Sequence, residues 1–112
     1  MNALAQQIGI DLSTEPDPPR KGANTVRIKL TGADGKPVTG AEVSATFFMA
    51  AMPAMGMAAM RDVATLVDKG AGLYEGPLQL QTGGTWQVTV TVQRGGQTIA
   101  TKQLSVSATG GM

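Results

Sequence analysis

Apolar and polar residues alternate with a period of two along most of this chain, and glycine and proline interrupt the alternation at short intervals. Period two is the signature of strands with one face turned inward. The pattern predicts a first strand near Ile8 to Leu12, stopped by Glu15-Pro16-Asp17-Pro18-Pro19, whose prolines cannot donate to a ladder. Val26, Ile28 and Leu30 then share one face of a strand over Asn24 to Thr31, with Arg27 and Lys29 on the other. An Asp34-Gly35 turn leads into Ala41 to Met49, where Val43, Ala45 and Phe47 face inward, and the two runs are expected to be neighbours. Arg61 to Asp68, with Val63 and Val67 on one face, is expected to form a hairpin with Leu73 to Leu80 through Lys69-Gly70-Ala71-Gly72. Trp86 to Val92 is the most regular run, and Arg94-Gly95-Gly96-Gln97 joins it to Thr98 to Ser107.

In that last strand Ile99 and Leu104 are an odd number of positions apart, so a regular strand cannot turn both inward. A β-bulge near Thr101 to Gln103 would reconcile them. Seven short strands at even spacing predict an all-β fold, an immunoglobulin-like antiparallel β-sandwich, with a small barrel as the alternative. The expected division is an N-terminal strand and Pro-rich connector over 1–17, the sandwich over 18–107, and a fraying tail over 108–112.

A length of 112 residues allows one core, which hides roughly 60–70% of the chain's surface on folding without staples. There are no cysteines, a net charge of +1 and only 15% charged residues. Nucleic acid and anionic membranes are therefore not expected partners, and Arg20-Lys21 reads as a solvated turn. No apolar run reaches the roughly 20 residues of a membrane helix, and Met1 to Gln7 lacks the charged and apolar regions of a secretion signal. The expectation is a cytoplasmic protein or a piece of a larger exported one, monomeric when isolated.

Composition changes the picture at one place. Five of the seven methionines, Met49, Met52, Met55, Met57 and Met60, fall within twelve residues separated only by Ala, Gly and Pro. Thioether sulfur is a soft, uncharged donor suited to Cu(I) or Ag(I) rather than Zn(II), Mg(II) or Ca(II), and it has no proton to lose on binding. Met49 ends one strand and Met60 opens the next, which makes Met52, Met55 and Met57 the strongest ligand candidates. Loop ends anchored by adjacent strands would let all five sulfurs converge at small ordering cost. The competing readings are a Met-rich apolar surface for docking a protein partner, as flexible thioethers suit adaptable contacts, and plain filling of irregular core gaps.

Catalysis is not expected. No histidine or cysteine is present, and Gly83-Gly84 and Gly95-Gly96 precede strands rather than helices, so they are turns and not phosphate loops. Trp86, the single tryptophan, reads as core rather than as a face for a bound cation. Tyr74, Asp62 and Asp68 receive no role, since carboxylates suit Cu(I) poorly.

The strings beginning Asn24-Thr25-Val26, Asp34-Gly35-Lys36-Pro37, Phe48-Met49-Ala50-Ala51-Met52-Pro53, Gly72-Leu73-Tyr74-Glu75-Gly76 and Gly84-Thr85-Trp86 resemble the YtkA-like or FixH-like domain from about Pro18 to Ser107. The resemblance implies an immunoglobulin-type sandwich, exported to the periplasm and attached to adaptor subunits of heavy-metal efflux pumps, similar to the CusB type. It implies that the metal-loop methionines of Met-Pro-x-Met-Pro-x-Met-Gly-Met correspond to Met49, Met52, Met55 and Met57, and its second proline to Pro53. Ala50 stands where the first proline is usual, and no histidine alternative is present, which favours Cu(I) over Cu(II). The implied function is capture of Cu(I) or Ag(I) and its transfer to a pump, an adaptor or a metallochaperone.

Overall fold

The computed structural model describes residues 8–110, and the first seven residues of the N-terminal segment and the last two of the tail lie outside them. Seven strands follow one another: β1 (Gly9–Glu15), β2 (Gly22–Thr31), β3 (Glu42–Met49), β4 (Met60–Gly70), β5 (Leu73–Leu80), β6 (Gly84–Arg94) and β7 (Gln97–Ala108). All six pairings between these strands are antiparallel, in the order β1-β2-β5-β4-β3-β6-β7. β4 serves both halves: its first part, Met60 to Leu66, pairs with β3, and its last part, from Val67, pairs with β5. The result is an immunoglobulin-like sandwich, β1-β2-β5-β4 facing β3-β6-β7, with hydrogen bonding continuous through β4.

The core follows from the alternation. Val26, Ile28 and Leu30 meet Val43, Ala45 and Phe47, Tyr74, Leu78 and Leu80, and Trp86, Val88, Val90 and Val92, all buried. Each fully buried large apolar side chain contributes about 1.5–3 kcal/mol relative to exposure, so this inward row outweighs any local preference in holding the register. Val63 and Val67 do share a face, but it is the outer one; Ala64 and Leu66 take the inner positions of β4. β1 runs on to Glu15, stopping only at the first proline.

Three expectations are corrected. β2 and β3 are not neighbours: β2 lies between β1 and β5, and β3 between β4 and β6. The Asp34-Gly35 turn forms, with Gly35 N–H donating to the Gly32 carbonyl, but the chain then crosses from one sheet to the other. Three side chains hold this crossover. The Tyr74 hydroxyl donates to the Val38 carbonyl at 2.9 Å and accepts from the Ala41 N–H, Arg94 donates to the Thr39 carbonyl, and Asp68 accepts from the Gly40 N–H. Asp68 also accepts from Gly70 N–H, and these two backbone bonds hold its carboxyl below the usual carboxylate range.

The bulge exists but sits earlier than expected. Val92 pairs with Ala100 and Gln93 with Thr98, leaving Ile99 as the extra residue next to the Gly95-Gly96 turn. Beyond it Ala100, Leu104, Val106 and Ala108 pack against the core. The tail does not fray at its start either: Thr109 N–H donates to the Pro19 carbonyl and Lys21 N–H to the Thr109 carbonyl, both at 2.8 Å. This clamp draws β7 towards β1, where Lys102 Nζ caps the Ile10 carbonyl at 2.9 Å. On the outer face of β2, Arg27 joins Glu75 at 2.5 Å and Glu15 at 2.6 Å, bonds that raise its pKa in that order of importance.

Candidate functional site: the methionine loop

Antiparallel order brings the β1–β2 connector, the β3–β4 loop, the β5–β6 turn and the end of β7 to one end of the sandwich. The methionine segment is the β3–β4 loop. Its outer members belong to the strands: Met49 closes β3, Met60 opens β4, and the two are register partners. Met49 is only 5% exposed, and its methyl lies against Gly84 closely enough that a Cβ there would sit 3.2 Å away. Met60 is half-buried and packs against the core.

The loop between them folds back as a tight tip. Met52 and Met57 exchange both backbone hydrogen bonds, Met52 N–H to the Met57 carbonyl at 2.8 Å and Met57 N–H to the Met52 carbonyl at 3.0 Å. They form the hydrogen-bonded type of antiparallel pair, whose Cα atoms stand about 5.5 Å apart with side chains side by side. The intervening residues make a single 3₁₀ turn, Pro53–Met55, closed by Gly56 at φ 68° with its N–H on the Pro53 carbonyl. Pro53 supplies the φ that a first turn position needs, and Gly56 accepts a left-handed conformation that other residues resist.

Exposure then divides the five methionines. Met55 at the tip is 59% exposed and Met52 36%, while Met57 is half-buried. Burial separates the five: Met49 lies in the interior and Met60 packs against the core, which leaves Met52, Met55 and Met57 as the methionines of the loop itself. The Met52–Met57 pairing went unseen in the sequence, although it left a signal there. Met49 and Met52 on one arm, and Met57 and Met60 on the other, are each three residues apart and symmetric about Pro53 to Gly56.

Beside the tip runs an open groove of about 430 Å³, lined by Phe48, Met49, Ala50, Met52, Gly84, Thr85 and Gln87. Phe48, on the outer face of β3, is 38% exposed. Trp86 is wholly buried with its indole N–H on the Thr82 carbonyl at 3.2 Å, so neither ring face is open to the loop's surface. Asp62 accepts from the Gln81 side chain at 3.2 Å. Among the described residues no group of three or more carboxylates forms a hard-cation site. No helix there is long and apolar enough to cross a membrane.

A family model described as YtkA-like matches residues 2–91. The match begins ahead of Pro18 and ends inside β6, before the β6–β7 turn. No curated protein and no solved structure matches the chain.

Proposed function

The chain belongs to the YtkA-like family, and from that premise we propose that it is a soft-metal module that takes up Cu(I) or Ag(I) on methionine thioethers and hands the ion on. The observation that carries this reading is the Met52–Met57 cross-strand pair, held at the exposed tip with Met55 between its arms. Two thioethers on adjacent strand positions form a bidentate arm set, and Met55 supplies a third sulfur from the turn. Soft, neutral donors of this kind select monovalent d¹⁰ ions by donor type, with no deprotonation needed. With Met52 and Met55 exposed and Met57 half-buried, a bound ion would stay open to attack by a fourth donor from a partner, the condition for transfer by ligand exchange. The proposed setting is the periplasm, with adaptor or pump components of a heavy-metal efflux system, or a metallochaperone, as recipients.

The experiment is an anaerobic titration with Cu(I) or Ag(I), read on ¹³C-labelled methionine methyl groups. The Met52, Met55 and Met57 methyls move, Met49 stays, and Zn(II) moves none. If no methionine methyl responds to either monovalent ion, the reading is abandoned. A second reading is favoured by the exposure of Phe48 and Met52 along one groove, with Met55 exposed on the neighbouring turn: an apolar docking surface for an assembly partner. Replacing Met52, Met55 and Met57 together by Leu separates the two. It keeps apolar bulk and docking while abolishing soft-metal binding.

A further inference from the structure

We propose that the same loop is an oxidation-sensitive switch, in which hydrogen peroxide converts Met55, Met52 and Met57 to sulfoxides and disarms the soft-metal site without unfolding the domain; this rests on the metal reading above. The chemistry is a two-electron oxygen transfer. A thioether lone pair attacks one peroxide oxygen, an S–O bond forms as the O–O bond breaks, the sulfur is oxidised, and the peroxide's second oxygen leaves as water with both protons. A sulfoxide presents a polar, hard oxygen in place of a soft sulfur, and the change is reversible by sulfoxide reductases.

The structure grades the five sulfurs for this reaction. Met55 stands free at the tip, Met52 and Met57 flank it, Met60 is packed against the core, and Met49 is enclosed with its methyl against Gly84. An oxygen on the Met49 sulfur would have to enter the hydrophobic interior that Met49 shares with Phe47 and Trp86, where an unpartnered polar atom is costly. The tip, by contrast, is closed by backbone hydrogen bonds alone: Met52 to Met57 in both directions, Met55 to Met52, and Gly56 to Pro53. Oxidation of the side chains removes none of them, so the turn and the strands survive while the donor set is lost. Coupling runs both ways, because an ion held on those lone pairs blocks the oxidant, so metal protects what oxidation would remove.

The test treats the whole, metal-free chain with limiting hydrogen peroxide and locates sulfoxides by fragment mass spectrometry, with Trp86 emission as the fold readout. Among the five methionines from Met49 to Met60, Met55 oxidises first, Met52 and Met57 next, and Met49 last, with the folded signal retained. The product oxidised at all three tip positions binds Ag(I) at least about ten-fold more weakly than the untreated protein, as expected when soft donors are replaced by hard ones. Met49 oxidising in step with Met55, loss of the folded signal once the three tip residues are oxidised, or unchanged Ag(I) affinity each overturns the switch. If the untreated protein binds no Ag(I), the metal reading fails and the switch on it falls too. The order of oxidation still separates an exposed modification site from indiscriminate oxidation.

Discussion

Truncating Met49 and truncating Met55 remove the same atoms from the same segment, and the structure assigns them opposite consequences. Met49 is 5% exposed, pairs with Met60 and lies within the cluster that contains Phe47 and Trp86. Met49→Ala therefore leaves a cavity at the loop end of the core, and large-to-small changes of this kind cost about 2–5 kcal/mol. Met55 is 59% exposed and contributes only backbone to the turn, so Met55→Ala stays within about 0.5 kcal/mol. For a domain of this size each kcal/mol moves the thermal midpoint by roughly 4–8 °C, so the smallest expected shift for Met49→Ala is about 8 °C. Thermal unfolding of the metal-free variants, followed by Trp86 emission and by calorimetry, reads both. Met49→Leu serves as the volume-conserving control and is expected to cost less than about 1.5 kcal/mol. A loss below about 1 kcal/mol for Met49→Ala, or an equal loss for Met55→Ala, refutes the division of the methionines into buried and exposed sets.

Two further outcomes follow from features outside the loop. Gly76 lies where β5 passes under the carbonyl of Thr65, and a Cβ there would collide with that oxygen and stand 3.2 Å from Leu66 Cα. Gly76→Ala is expected to cost at least about 1–3 kcal/mol, seen as a lower urea midpoint at unchanged slope, and a change under about 0.5 kcal/mol contradicts the close approach. Asp68 has its carboxyl pKa lowered by the Gly40 and Gly70 amides, so its contribution to stability is present above the unfolded carboxylate value near 3.9 and is lost as pH falls through the lowered folded value. Asp68→Ala is therefore less stable than the parent at neutral pH, and the two melting profiles converge on acidification; a gap that stays constant or widens in acid removes the argument.

The inward rows were legible because burial enforces strict alternation: Val26, Ile28 and Leu30, then Val43, Ala45 and Phe47, then Trp86 to Val92 all face as their parity demands. The same parity extends from Phe47 to Met49, and that is why Met49 belongs to the core and not to the loop. Sheet membership was not legible. Asp34-Gly35 is a local turn whichever strand comes next, and the crossing to the opposite sheet is fixed by contacts from Tyr74, Asp68 and Arg94, distant in sequence. Parity showed that β7 needs one extra residue between Ile99 and Leu104 but could not locate it; the two-residue Gly95-Gly96 turn puts it at Ile99. The Thr109 clamp had no apolar signature because it is built from backbone groups. In the candidate site the residue types were legible, while their separation into two cross-strand pairs and a free tip depended on a register that only the fold supplies.

That register reaches further than the loop itself. The pairing of Val43 with Leu66 continues unshifted through Met49 with Met60 to Met52 with Met57. The gap between the two tip thioethers is therefore inherited from the spacing of neighbouring strands, like the jaws of a calliper fixed to its frame. Among the four residues that close the tip, Pro53, Ala54 and Gly56 are free to drift in sequence so long as they still turn, while Met55 keeps the third sulfur. Gaining or losing a single residue on one arm would put the jaws out of opposition, whereas matched changes on both arms keep them opposed.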